Sequence, residues 1–197
     1  MNTFPRLALI LAILALAFAP TARAQQIDVA VGGASIYAPA GSLATGNHEP
    51  QSLDGGAYPT ASADWLFHKR IGVQAELAWR WNNGTYLPGY INLPYRPFFY
   101  DFNAIYASQI LPHHLAFEVL GGAGVQTTRF YVQGCNGSSC YGTSNHLMGD
   151  VGGGIKYYAW RHLFIRPEAR YYIVRNNIEF SSFHALRYGA SIGYTFR

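Results

Sequence analysis

A serine and a histidine near the carboxyl end of the chain could support hydrolytic chemistry. Ser182 and His184 are two positions apart and follow Glu179, and residues two apart share one face of a strand. A serine nucleophile needs a base within hydrogen-bond reach and a third group that orients this base. The three side chains therefore raise the hypothesis of an acyl hydrolase.

Two cysteines form a second candidate site. Cys135 and Cys140 enclose the short stretch Asn-Gly-Ser-Ser. In an exported protein, a close pair of cysteines predicts a disulfide. A zinc site would need more ligands than Asn136 and Ser138 provide. We expect a disulfide that restrains a loop.

The remaining motifs do not indicate a metal or cofactor site. No two of the seven histidines have the HxxxH spacing of a helical zinc site. The stretches Gly121 to Gly124 and Gly152 to Gly154 do not satisfy a phosphate-binding fingerprint. The sequence therefore predicts neither a metal nor a cofactor.

The first residues have the pattern of a secretory signal peptide. Arg6 precedes thirteen apolar residues, Leu7 to Ala19, and the small-residue pattern Ala22-Arg23-Ala24 follows. A spanning helix would need about 20 apolar residues. We expect residues 1–24 to be removed, which leaves an exported domain of residues 25–197.

The composition is typical of a membrane protein although no later segment could form a spanning helix. Half of the residues are hydrophobic and 12% are charged, about half of the ~25% usual in soluble domains. No run of eighteen apolar residues follows Ala24. Spanning structures other than helices must be closed β-barrels. The scattered basic residues argue against nucleic-acid binding.

Eight segments have the two-residue period of strands. From Ile71 to Trp81 the odd positions are apolar, and the even positions include Gln74, Glu76 and Arg80. The eight predicted strands are Gln26 to Ile36, Ala57 to Phe67, Ile71 to Trp81, Phe98 to Ile110, Leu115 to Thr128, His146 to Tyr158, Leu163 to Val174 and His184 to Phe196. Pro59 and Pro167 lie inside predicted strands, where we expect local bulges.

Short and long connections alternate along the chain. The short turns are His68 to Arg70, Leu111 to His114 and Ala159 to His162, and the long connections are rich in Gly, Asn, Pro and Ser. Short turns at one end and long loops at the other are typical of bacterial outer-membrane barrels. The sequence therefore predicts an all-β, eight-stranded, antiparallel, up-and-down transmembrane β-barrel.

The position of the acids predicts which face of each strand points inward. Glu76, Asp101, Glu118 and Glu168 all lie opposite the apolar face of their strands. An eight-stranded barrel is too narrow to hold the aromatic rings of that apolar face in its interior. We therefore expect the rings to face lipid, whereas a soluble lipocalin-type barrel would have the reverse polarity.

An interior lined by charged residues must pair them, because an isolated buried ion is costly. We expect an ion-pair network that blocks the interior, although a small gated solute channel stays open as an alternative. The predicted network comprises Asp28, Asp64, Glu76, Arg80, Asp101, Glu118, Asp150, Lys156, Arg166, Glu168, Arg170 and Arg187.

The end of the chain carries a resemblance to a known family. The stretch Arg187 to Phe196 is similar to the C-terminal signature of outer-membrane barrels, with Gly189, Ile192, Tyr194 and Phe196 as its main positions, although Arg197 follows the usual terminal aromatic residue. Together with Phe164 to Arg170, it makes the chain resemble the small, single-domain OmpA-like outer-membrane β-barrels. The resemblance implies recognition by the barrel-assembly machinery.

These patterns favour a non-enzymatic protein of the Gram-negative cell outer membrane, with a structural or adhesin-like role. Its expected partners are outer-membrane lipid, lipopolysaccharide and an extracellular ligand that contacts the long loops. Tyr86, Tyr90, Tyr95, Tyr141 and Phe180 could be anchors for such a ligand or could pack within the loops. A lipid A acyl hydrolase that uses Ser182 and His184 is the enzymatic alternative, but no Asn follows as in the lipid A deacylase pattern.

Overall fold

The computed structural model describes residues 26–38, 53–68, 70–86, 92–111, 114–132, 140–175, 180 and 183–196. None of these residues belongs to a helix that is long and apolar enough to cross a membrane. They form nine strands: β1 (Gln26–Tyr37), β2 (Tyr58–His68), β3 (Ile71–Trp79), β4 (Gly84–Tyr86), β5 (Leu93–Leu111), β6 (Leu115–Tyr131), β7 (Tyr141–Tyr158), β8 (Leu163–Val174) and β9 (His184–Phe196). The predicted signal peptide lies outside the described residues and stays a prediction.

Eight of these strands form a closed antiparallel barrel. The strand order is β3-β2-β1-β9-β8-β7-β6-β5, and an additional pairing of β3 with β5 closes the sheet. The short strand β4 pairs with β5 beyond the end of β3, so that Gly84 lies opposite Tyr95. The predicted fold class, an eight-stranded up-and-down β-barrel, is confirmed.

The two ends of the barrel differ in their connections. Short turns join β2 to β3, β5 to β6 and β7 to β8. The start of β1 and the end of β9 also lie at this end, where Ile27 pairs with Phe196. We call it the short-turn end, and the opposite end the long-loop end.

Three strands reach farther toward the long-loop end than the sequence pattern predicts. β5 begins at Leu93, β6 ends at Tyr131 and β7 begins at Tyr141. Prolines and glycines in these segments resemble loop sequence, but cross-strand pairing continues because Phe130 lies between Tyr95 and Gly142. β3, by contrast, ends at Trp79 and not at the predicted Trp81.

The expected bulges at Pro59 and Pro167 are wrong. Pro59 pairs in register with Gly33, and Pro167 pairs in register with Ala190. On the other side of Pro167, the register between β7 and β8 is unchanged, but Arg166 and Pro167 have no ladder partner in β7. At Pro167 the sheet therefore accommodates the missing N–H by omitting ladder pairs with β7, without inserting an extra residue.

The barrel wall is polar inside and apolar outside. In β8 the side chains of Arg166, Arg170 and Tyr172 are buried, whereas those of Ile165 and Tyr171 are exposed. Exposed apolar side chains recur on all eight barrel strands, and Phe102 is the most exposed of those in β5, at 73%. This surface is the inverse of a soluble barrel, in which the apolar side chains would fill the interior.

Candidate functional site in the barrel interior

Eleven of the twelve side chains predicted to form an interior network are placed inside the barrel by the structure. Each is connected to the others by ion pairs. They are Asp28, Asp64, Glu76, Asp101, Glu118, Asp150, Lys156, Arg166, Glu168, Arg170 and Arg187. Their side chains are at most 6% exposed.

The inner cluster, defined by Asp28, Asp64, Glu118, Lys156 and Arg166, lies toward the short-turn end. The Lys156 ammonium is 2.5 Å from Asp28 Oδ2 and 3.0 Å from Asp64 Oδ2, and it also contacts Glu118. Arg166 Nη1 is 2.9 Å from Asp64 Oδ2 and 3.3 Å from Glu118 Oε2. Two cations thus hold three carboxylates together.

The central cluster, defined by Glu76, Asp101, Asp150, Arg170 and Arg187, is organised by Arg170. Its guanidinium is 2.5 Å from Glu76 Oε2, 3.1 Å from Asp101 Oδ1 and 4.0 Å from Asp150 Oδ2. It also donates a hydrogen bond of 2.6 Å to Gln74 Oε1. One fully buried guanidinium therefore connects carboxylates from three other strands.

Glu168 joins the two clusters. Its carboxylate is 3.2 Å from Arg166 Nε and 3.5 Å from Arg170 Nε. Arg187 completes the central cluster, because its guanidinium is 2.8 Å from Glu168 Oε1 and also contacts Glu76. Each of the four cations contacts two or more carboxylates, which offsets the cost of removing these charges from water.

Glycines on β7 make room for the arginines of β8. A Cβ atom at Gly152 would lie 2.8 Å from Arg170 Cγ and 2.6 Å from the carbonyl oxygen of Ala169. A Cβ atom at Gly154 would lie 3.2 Å from Arg166 Cγ. The Gly-rich stretch thus serves as packing space for long side chains in a narrow barrel.

Arg80 is the exception among the twelve predicted network residues. β3 ends at Trp79, so Arg80 lies beyond the strand. Its guanidinium donates a hydrogen bond of 2.8 Å to the Tyr95 hydroxyl and lies over that ring. Arg80 therefore belongs to the long-loop end and not to the central cluster, because the predicted strand was two residues too long.

An apolar cap closes the interior on the long-loop side of the central cluster. We define the cap by Ile36, Leu53, Tyr58, Tyr95, Phe99, Met148, Tyr172, Val174 and Phe180. Tyr95 and Phe180 are buried in it with ring centroids 4.9 Å apart. Of the proposed loop anchors, these two therefore pack within the protein. Tyr86 packs against the cap, Tyr141 is exposed and Tyr90 lies outside the described residues.

The apolar cap was not predicted from the sequence, although part of its signal was present. Phe99 has the same strand parity as Asp101, and Tyr172 has the parity of Arg170. Their rings stack at 5.5 Å inside the barrel. The inward position of both residues was therefore readable, whereas the contribution of Phe180 from a loop was not.

A cavity of about 310 Å³ lies at the short-turn end. Leu66, Arg70 and Gln109 line its wall, and Glu118 and Lys156 form part of its lining toward the inner cluster. The interior thus consists, from this end, of a cavity, the two ion-pair clusters and the apolar cap.

Within the described residues, Asp28, Asp64 and Glu118 are the group whose ligand atoms lie close enough to hold a metal ion, within 4.8 Å of one another. The Lys156 ammonium contacts all three carboxylates. A cation of the chain itself therefore takes the position that a metal would need.

The other predicted sites are described only in part. Ser182, Glu179 and Cys135 lie outside the described residues, so the hydrolase and the disulfide stay predictions. His184 Nδ1 is 2.9 Å from the Tyr171 hydroxyl, on the outward face.

The C-terminal signature residues lie on β9. Ile192, Tyr194 and Phe196 face outward. Gly189 lies against β1, and a Cβ atom at this position would collide with the carbonyl oxygen of Gly33. The assembly role of these residues stays a prediction.

Several bacterial proteins of solved structure have the same fold. The attachment invasion locus protein Ail of Yersinia pestis, solved with the heparin analogue sucrose octasulfate, has a TM-score of 0.59 and 12% identity, over 88% of this chain and 100% of Ail. The N-terminal barrel of Pseudomonas aeruginosa OprF has a TM-score of 0.56 and 13% identity, over 87% of this chain and 97% of that one.

Neisserial surface protein A is a third similar structure. Its TM-score is 0.56 at 11% identity, over 87% of this chain and 95% of that one. No family model and no curated protein sequence matches the chain. The fold is thus that of small eight-stranded outer-membrane β-barrels, and at these identities the similarity concerns the fold alone.

Proposed function

We propose that this protein resides in the outer membrane as a closed barrel, with a structural or surface-interaction role and no enzymatic activity. The observation that carries the proposal is the two-sided wall, in which apolar side chains are exposed and ion pairs are buried. Hydrocarbon around the barrel would cover the exposed apolar surface, and closure of the sheet leaves no edge strand whose backbone groups would need water.

The interior supports a plug and not a pore. Arg166, Arg170 and Arg187 are each 1% exposed, and their guanidiniums cross the interior to acids on other strands. The apolar cap lies beyond them on the long-loop side. Since an eight-stranded barrel is only wide enough for its own side chains, a solute would have to displace both the ion-pair clusters and the apolar cap.

Conductance of the refolded protein in planar bilayers tests the plug. We expect no sustained current from the native chain and increased leakage from Arg166→Ala and Glu76→Gln. Arg166→Ala shortens a side chain that crosses the inner cluster, and Glu76→Gln weakens the contacts to Arg170 and Arg187. Arg161→Ala, in an exposed short turn, is the control. A sustained native current would favour the gated channel.

Export and assembly account for how the barrel would reach this membrane. We propose cleavage after Ala24 and recognition of the β9 end by the barrel-assembly machinery. Amino-terminal sequencing of protein from the membrane fraction should give Gln25 as the first residue. Phe196→Ala should reduce the assembled fraction in cells, while the purified variant should still refold in detergent.

The long-loop end is the proposed interaction surface. Ail, which shares the fold, was solved with a sulfated heparin analogue, and this supports testing a sulfated saccharide as a ligand here. Immobilised heparin should retain the native chain through cations at this end, so Arg80→Gln/Arg175→Gln should weaken retention while the barrel still folds. Unchanged retention of this variant would exclude these two arginines as contacts of the saccharide.

The hydrolase alternative is separately testable. Purified protein should release no acyl chain from lipopolysaccharide. Release that disappears in Ser182→Ala would replace the non-enzymatic proposal with an acyl hydrolase.

A further inference from the structure

Two arginines break the apolar pattern on the outside of the barrel. Among the described strand residues, two charged side chains lie on the outward face, and they are Arg96 and Arg129. Arg96 shares the outward parity of Phe98 and Tyr100, and the guanidinium of Arg129 lies 4.9 Å from the centroid of the Phe98 ring. Both belong to strand extensions beyond the predicted ends.

The two arginines are direct cross-strand neighbours. Arg96 of β5 and Arg129 of β6 are Cα partners in the ladder. Like charges in opposite positions repel each other, and a nearby acid would normally offset the repulsion. The connections on either side, residues 80–92 and 132–140, contain no Asp or Glu. The pair therefore has a positive charge that this part of the chain does not neutralise.

The surroundings of the pair combine polar groups with aromatic rings. Arg96 Nε donates a hydrogen bond of 3.0 Å to Asn83 Oδ1. The Arg129 guanidinium also lies 5.4 Å from the centroid of the Tyr141 ring. Aromatic rings in transmembrane barrels form belts at the level of the lipid head groups, so this position corresponds to the membrane interface at the long-loop end.

We propose that Arg96 and Arg129 bind the phosphate group of an anionic lipid head group in the outer leaflet. The inference rests on the membrane residence proposed above. Guanidinium groups match phosphate oxygens in geometry and charge, and one phosphate between them would replace repulsion with attraction. Both side chains leave the wall sideways, among rings that contact lipid, which favours a lipid phosphate over a free anion.

Native mass spectrometry of the refolded full chain in detergent, titrated with short-chain phosphatidic acid, tests the site. We expect one lipid to bind the native chain most tightly. Each arginine near a membrane surface contributes roughly a fivefold effect on affinity. Arg96→Gln/Arg129→Gln should therefore raise the dissociation constant by roughly 25-fold. Arg161→Gln, which removes one charge at the short-turn end, should leave the dissociation constant unchanged.

Further arms separate the possible sources of binding. Arg96→Lys/Arg129→Lys keeps the charges but loses the planar fork, so we expect intermediate affinity. Inorganic phosphate at the same concentration should not compete, because it lacks the acyl chains that lie against the rings. Effective competition by phosphate would overturn the lipid assignment. Equal weakening by Arg161→Gln, or native affinity of the double glutamine variant, would overturn the site itself.

Failure of this inference can be distinguished from failure of the membrane proposal. Heat-modifiable electrophoretic mobility reports whether each variant forms the barrel in lipid. A native chain that does not insert into lipid would contradict membrane residence. Variants that insert normally but bind phosphatidic acid like the native chain would contradict only the arginine site.

Discussion

Replacement of Arg170 by methionine should destabilise the barrel more than any single change at its surface. The guanidinium contacts Glu76, Asp101, Glu168 and Asp150 at 2.5–4.0 Å and is fully buried. Without it, Glu76 and Glu168 keep their contacts with Arg187. Asp101 keeps the Asn103 amide at 2.8 Å but loses its contact with a cation, as does Asp150.

The expected loss of unfolding free energy follows from the two carboxylates, Asp101 and Asp150, that are left without a cation. Removal of one partner from a buried ion pair typically costs about 3–5 kcal/mol. That loss is a large fraction of an unfolding free energy of roughly 5–15 kcal/mol. Methionine fills part of the space left by the arginine stem, so we attribute the loss mainly to electrostatics and not to a cavity.

The measurement is urea unfolding of the refolded barrel in phosphatidylcholine vesicles, followed by tryptophan fluorescence. Arg170→Met/Asp101→Asn should be more stable than Arg170→Met alone, because the second change removes the charge of a carboxylate that has lost its cation. Arg161→Met should change the unfolding free energy by no more than about 0.5 kcal/mol. A loss below about 1 kcal/mol for Arg170→Met, or no difference between the single and double variants, would refute the role assigned to the network.

Three further changes test the packing, the polarity and the loop. Gly152→Ala should cost about 1–3 kcal/mol, since its Cβ would meet Arg170, whereas Gly149→Ala, with its nearest atom at 3.7 Å, should be near neutral; equal urea midpoints would exclude this packing explanation. Phe102→Arg should cost about 2–4 kcal/mol in vesicles if this side chain faces lipid, and no loss would contradict the outward polarity. Cys135→Ser/Cys140→Ser should lower stability by about 2 kcal/mol through the lost loop closure, and alkylation of both thiols in the unreduced native chain would disprove the disulfide.

Strand alternation made the wall of the barrel predictable. In Ile71 to Trp79, apolar and polar residues alternate because one face meets the interior and the other meets the outside. The ends of the strands were harder to predict. Pro94, Pro97 and Gly142 resemble loop residues, and only the continued pairing with neighbouring strands shows that they belong to the sheet.

The pairing partners inside the barrel were not predictable from the sequence. Lys156 and Asp28 are 128 positions apart, and Arg170 and Glu76 are 94 positions apart. Parity shows that such residues share the interior, but their height depends on the tilt and register of the closed sheet. The same limit explains Arg80, which has the correct parity but lies beyond the end of β3 and contacts Tyr95.

By itself, the sequence determined the number of barrel strands and the face of each strand that carries charge, because both depend on a local period of two residues. Tertiary structure alone decided which acids meet which bases, that Phe180 closes the interior, and that Arg96 and Arg129 lie side by side on the outer wall. These features depend on the register between strands, which closure of the barrel establishes and no local pattern encodes.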